Sequence, residues 1–270
     1  MGMLPSFLII GTMKGGSSSL FRYIASNPDI LPSSIKESDF FKTEADFHKG
    51  LDWYRNLFEG PGRLAFEASP NYTKRHVFGG VPRRIRSVFP RIKLIYLVRD
   101  PIDRIISHYV HNCAKGGERR LLSEALAEPG NNYIQTSRYY FQIEAFLEYF
   151  PRSQLLVVES ERLEHDAEGV LRDVFTFLDV EPQWDSAILR KRFYESSKRK
   201  RRSALEKAVI DRTENRVCRA AARLIAAPFS ERVMRPELSN ADRTKLVDSL
   251  AHDVEELRRF SGLAFSSWSL

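Results

Sequence analysis

Between the apolar run Phe7-Leu8-Ile9-Ile10 and a stretch with Leu20, Tyr23 and Ile24 at helical spacing, the chain reads Gly11-Thr12-Met13-Lys14-Gly15-Gly16-Ser17-Ser18-Ser19. A turn of this composition, leading from strand into helix, is a phosphate cradle. Backbone N–H groups converge there, the helix amino end adds partial positive charge, and glycines let an anion approach the main chain. It is not a Walker A loop, which needs Gly-x-x-x-x-Gly-Lys-Ser/Thr. Gly11 and Gly16 have that separation, but Ser17 stands in the lysine's place and the loop lysine is Lys14. No strand end supplies a Walker B acid, so a Mg-NTP-dependent, kinase-like P-loop enzyme is the runner-up. A second group follows Lys93–Val98: Arg99, then Asp100-Pro101, then Ser107 two helical turns on. An arginine fork with a hydroxyl suits a terminal phosphate. Asp100 and Pro101 need no more than the cap and first position of a helix.

Both groups belong at strand ends, and the surrounding pattern provides strands in the right places. Ser6–Ile10, Leu64–Ala68, Lys93–Val98 and Leu155–Glu159 read as strands, the third nearly continuous in apolar residues, as a strand covered on both faces is. Helices are expected after the glycine turn, over 46–58, 81–89, 102–113, 132–150 and 170–178, and through most of the chain from about 203. Strands alternating with helices predict an α/β fold: one domain over residues 1–270, with a central parallel sheet flanked by helices. Gly116-Gly117 reads as an internal loop. Arg99 then leaves the carboxyl end of a central strand, where ligands sit in open α/β sheets.

Length and composition exclude other classes. A chain of 270 residues, 43% hydrophobic and 29% charged, has material for a buried core and is neither a disordered tail nor a disulfide-stapled miniprotein. Cys113 and Cys218 are too few for an oxidised framework. No stretch approaches the roughly 20 apolar residues of a membrane span. Phe7–Ile10 is too short for a signal-peptide core, so a cytoplasmic protein is expected. Met1-Gly2 to Ser6 loosely fits a myristoylation pattern, but a core strand from Ser6 leaves little tether. The formal charge of +7 has one address: residues 190–202 hold eight basic residues and one acidic. That run reads as a solvated face, a nucleic-acid patch, or a loop closing on a small anion.

Four ordered segments give the chain a resemblance. Phe7 to Leu20 resembles the 5′-phosphosulfate loop of sulfotransferases that use 3′-phosphoadenosine 5′-phosphosulfate (PAPS). The stretch from Leu94 to Tyr109, with Arg99 and Ser107 at the family's spacing, resembles their 3′-phosphate motif. Lys36-Glu37-Ser38-Asp39-Phe40-Phe41 and Glu67-Ala68-Ser69-Pro70-Asn71-Tyr72 resemble segments of the heparan-type and bacterial branch. The resemblance implies a P-loop-like, nucleotide-kinase-like fold. It also implies transfer of a sulfuryl group from PAPS to an acceptor hydroxyl of a carbohydrate, lipid or natural product, with adenosine 3′,5′-bisphosphate (PAP) as product. No metal is needed, since fixed cations and N–H groups neutralise the donor.

The implied roles follow the phosphoryl-transfer pattern of positioning and charge stabilisation. Lys14 follows the charge on the bridging, leaving oxygen. Gly15, Gly16, Ser17, Ser18 and Ser19 hold the 5′-phosphate; Arg99 and Ser107 hold the 3′-phosphate. Lys200, Arg201 and Arg202 belong to a late loop that closes over the nucleotide, which makes a nucleic-acid partner unnecessary for the basic pI. Glu37 is the candidate base, with an exposed pair to Lys36 as the plain alternative. His108, with His111 one turn on, is the rival base. The family pattern usually has a lysine after the glutamate of the Glu67 segment, and this chain has Ala68. Trp53, Tyr54, Tyr133, Tyr139, Tyr140 and Phe141 are either acceptor-pocket walls or core. The acceptor and the oligomeric state are left open.

Overall fold

The computed structural model describes residues 2–189 and 233–270. Five strands, β1 (Phe7–Gly11), β2 (Ile30–Pro32), β3 (Leu64–Ala68), β4 (Lys93–Val98) and β5 (Leu155–Glu159), form one sheet in the order β2-β3-β1-β4-β5. Every pairing is parallel, so each connection crosses over outside the sheet. The helices begin with α1 (Ser17–Ile24), α2 (Glu44–Phe47), α3 (Gly50–Arg55), α4 (Val81–Val88), α5 (Pro101–Lys115) and α6 (Leu122–Ala127). They continue with α7 (Asn132–Ser137), α8 (Tyr139–Leu147), α9 (Ser160–His165), α10 (Ala167–Leu178), α11 (Ser186–Leu189) and α12 (Asn240–Ser261). Pairing puts Phe7 of β1 opposite Phe66 on one side and Lys93 on the other. The chain lays β3 to one side of β1 and β4 to the other, so a crevice opens between the carboxyl ends of β1 and β4.

Alternation along the strands sorts the core into two layers. Leu8, Ile10, Leu94, Tyr96 and Val98 pack with Phe40, Phe41, Tyr54 and the α12 residues Val254 and Leu257. Phe7, Ile9, Ile95 and Leu97 face the opposite way, onto Leu20 and Ile24 of α1 and Val174 and Phe175 of α10. A third cluster joins Ile102, Ile106 and Val110 of α5 to Tyr133 and to Leu246 and Leu250 of α12.

Two expected helices are corrected. The helix expected over 46–58 is two short ones, α2 and α3, parted where Gly50 takes φ +83. The helix expected over 132–150 divides at Arg138, whose φ of −80 and ψ of 81 leave the helical basin. β2, α6, α9 and α11 correspond to nothing that the sequence pattern predicts. Of the helical region expected from 203, α12 lies among the described residues and residues 203–232 lie outside them. Gly116 ends α5 at φ +73, in the expected loop. Among the described residues no helix is long and apolar enough to cross a membrane.

Candidate active site

The glycine loop is wedged against β4. Thr12 N–H donates to the Leu97 carbonyl at 2.7 Å, and Gly15 N–H donates back to Thr12 at 3.0 Å. A Cβ on Gly15 would meet the Leu97 oxygen at 3.0 Å and Thr12 Cγ2 at 2.7 Å, so only glycine fits there. Gly16 caps α1 at φ +95 with no side-chain cap bond, leaving the amino end of the helix to the loop. Lys14 itself sits at φ +70, a strained region for a residue with a Cβ, of the kind that clusters at ligand clamps. Ser17, Ser18 and Ser19 form the first turn of α1.

Arg99 leaves β4 beside this loop. Its guanidinium donates to Asp103 Oδ2 at 3.0 Å, and Asp103 Oδ1 accepts from Arg235 at 2.6 Å. Asp100 caps α5 through Asp103 N–H at 2.8 Å, and its other oxygen accepts from Ser269 N–H at 2.6 Å. Tyr139 donates its hydroxyl to the Arg99 carbonyl at 2.7 Å. Ser107 is buried in α5. The turn carrying Arg99 is thus clamped from three directions.

Opposite, Phe40 and Phe41 are buried and hold the segment that carries Lys36 and Glu37. Lys36 donates to Glu37 Oε1 at 2.9 Å and to Ser17 Oγ at 3.2 Å, so the segment reaches the glycine loop. Glu37 remains 52% exposed in its side chain. Behind it lies Glu67, fully buried: Oε1 accepts from Tyr72 at 2.6 Å and Tyr54 at 3.2 Å, and Oε2 from Ser69 at 2.6 Å. Ser69 Oγ in turn accepts from Asp39 N–H at 3.0 Å, and Tyr72 accepts from Phe41 N–H at 3.3 Å. Burial pushes the Glu67 carboxyl up to about 7, against its hydroxyl donors.

Arg104 closes the floor. Fully buried, it donates to Ser137 Oγ and the Tyr133 carbonyl, and from one nitrogen to the Met13 carbonyl and to His108 Nδ1, both at 3.3 Å. A guanidinium only donates. His108 therefore accepts at Nδ1, and its proton lies on Nε2. Burial, then Arg104, holds its pKa well below the usual histidine range, and the residue is 1% exposed. Lys74, just past β3, is also buried, its ammonium 2.9 Å from Met13 Sδ.

The structure brings Lys14, the 15–19 turn, Lys36, Glu37, Arg99, Ser107 and His108 to one end of the sheet. Lys200, Arg201 and Arg202 lie outside the described residues. Of the aromatics, Tyr54, Tyr133 and Tyr139 are core, Tyr54 stacking on Phe40 at 4.3 Å. Lys74, Arg104 and Arg235 also come to this end of the sheet, and no spacing in the sequence marks them. Arg104 stands only three residues before Ser107 and reads as its polar flank, and Arg235 has no motif around it.

A parallel sheet whose first strand opens into a glycine turn, beside a strand ending in arginine, defines the P-loop-like class of α/β proteins. The sulfotransferase domain model matches residues 4–220, and the chain belongs to the sulfotransferase family. Mouse heparan sulfate glucosamine 3-O-sulfotransferase 3B1 is 35% identical over 187 residues, 66% of this chain and 46% of that protein. Human bifunctional heparan sulfate N-deacetylase/N-sulfotransferase 3 is 31% identical over 204 residues, 67% of this chain and 23% of that one. The chain thus spans between about a quarter and a half of the length of these relatives. A solved sulfotransferase from Alicyclobacillus acidocaldarius shares the fold at TM-score 0.71 and 24% identity, covering 99% of this chain and 100% of its own. Mouse sulfotransferase SULT7A1, solved complexed with PAP, shares it at TM-score 0.53 and 13% identity, covering 97% of this chain and 89% of its own.

Proposed function

We propose that the chain is an enzyme that transfers the sulfuryl group of PAPS to an acceptor hydroxyl. The observation that carries this reading is the docking of the Lys14 loop against β4, whose own end presents Arg99. One anion cradle and one guanidinium are thereby set side by side for a nucleotide with phosphates at both ends. In the reaction the acceptor oxygen bonds to sulfur as the bond from sulfur to the bridging oxygen breaks. The electron pair of that bond stays on the 5′-phosphate, and the acceptor proton leaves to a base. Lys14 meets the leaving oxygen, the 15–19 turn holds the 5′-phosphate, and Arg99 and Ser107 hold the 3′-phosphate. Lys200, Arg201 and Arg202 add cations to the same nucleotide.

Glu37 is the base in this scheme. Its exposed carboxylate lies beside Lys36, which reaches Ser17 of the cradle. His108 offers no lone pair toward an acceptor, because Nδ1 faces Arg104 and Nε2 carries the proton. A carbohydrate acceptor is favoured by the relatives' names, which specify heparan sulfate glucosamine. A cytoplasmic location remains part of the proposal, on the low cysteine count. Labelled PAPS screened against glycan, lipid and natural-product acceptors tests the reaction. Glu37→Gln is expected to lower turnover at least about a hundredfold, the scale of general base catalysis, with donor affinity nearly unchanged. Retained activity in Glu37→Gln, with loss in His108→Ala, moves the base to the histidine.

A further inference from the structure

Lys74 is 6% exposed, and among the described residues its ammonium has one hydrogen-bond partner, the thioether of Met13 at 2.9 Å. A thioether is a weak acceptor, and a buried ammonium ordinarily has a carboxylate. The two nearby carboxylates are engaged elsewhere. Asp39 takes Lys42 at 2.9 Å and Asn71 at 3.1 and 3.3 Å, and Glu37 takes Lys36 at 2.9 Å. Across the site stand Arg104 and Lys115 of α5, which repel it. Burial first, then Arg104, draws the ammonium down to about 8, against Asp39 and Glu37. This arrangement leaves a fixed cation without a matching anion. It sits between Met13, the neighbour of Lys14 in the cradle, and the segment that carries Glu37.

In the reaction proposed above, on which this inference rests, sulfur lies between the Lys14 oxygen and the acceptor poised at Glu37. We infer that Lys74 binds a non-bridging oxygen of the sulfuryl group and is a catalytic residue distinct from Lys14. Lys14 meets the oxygen that departs with the nucleotide; Lys74 meets one that travels with sulfur. It keeps its own proton throughout, while the acceptor proton goes to Glu37 and the electron pair to the 5′-phosphate. Lys74 brings an ammonium to the carboxyl end of β3, which closes at Ala68.

PAPS and PAP differ by this sulfuryl group, so binding without any acceptor tests the assignment. Isothermal titration of Lys74→Met is expected to weaken PAPS at least about tenfold, the scale of one charge-assisted bond, and PAP less than about twofold. Lys74→Arg is expected to restore most of the PAPS affinity. The melting temperature of Lys74→Met without ligand is expected to hold or rise, because a buried unpaired charge has been removed. Equal losses for PAPS and PAP, unchanged PAPS affinity, or a fall in both affinities together with the melting temperature would overturn the inference. A wild-type protein that binds neither nucleotide would instead overturn the sulfotransferase reading beneath it.

Discussion

At the scale of single residues, Glu67 has the widest reach. It does not face the crevice, yet Tyr72, Tyr54 and Ser69 converge on it, and two of them hold backbone N–H groups of the Glu37 segment. Its carboxyl titrates near 7 in the folded protein against an ordinary 4.5. Between those values the native state binds more protons than the unfolded one, so this residue's contribution to stability falls as pH rises. Lys74 and His108 are shifted down and act in the opposite direction, so the comparison must be with a variant. The stability of Glu67→Gln relative to wild type is expected to rise from about pH 4 to pH 8, by on the order of 3 kcal/mol. Urea melts at intervals across that range check it, and a flat difference contradicts it. The proposed site residues Lys14, Glu37, Arg99 and Ser107 stand in segments whose spacing resembles that of the family, so the sequence alone points to them. It does not point to Lys74 and Arg104, because tertiary packing alone brings them to the loop.

Elements differ in legibility for physical reasons. β4 and β5 match their apolar runs residue for residue, since a strand covered on both faces needs little else. α5 starts as read, with Asp100 as cap and Pro101 at its first position. The breaks at Gly50 and Arg138 escaped notice because the apolar stripe runs through them while the backbone turns. β2 escaped because it has three residues and ends in proline. Asp100 links two elements, capping α5 and holding Ser269 N–H. Asp100→Ala is expected to lower stability by about 1–2 kcal/mol with an unchanged urea m-value. Asp100→Asn, which keeps a capping oxygen, is expected to lose less. Equal losses in the two variants would show that the cap contributes little.

Over the whole molecule, the far end of the chain supports the site that the near end builds. Asp253 of α12 accepts from Tyr140 and Phe141 N–H at 3.0 and 2.8 Å, fixing the start of α8. Trp268 stacks on Phe265 at 4.1 Å and donates to Glu161, which also accepts from Asp100 N–H. Arg235 and Ser269 therefore reach the Arg99 turn from sequence beyond the residues matched by the family model. The excess of +7 resides in residues 190–202, and three of its cations, Lys200, Arg201 and Arg202, are the ones proposed to meet the nucleotide. One binding measurement separates a sulfuryl-donor site from a nucleoside triphosphate site: thermal melting of the protein in excess EDTA with PAP, set against Mg-ATP in a matched buffer. A sulfotransferase site predicts a rise in melting temperature with PAP that needs no divalent cation. A rise with Mg-ATP alone, and none with PAP, would contradict it.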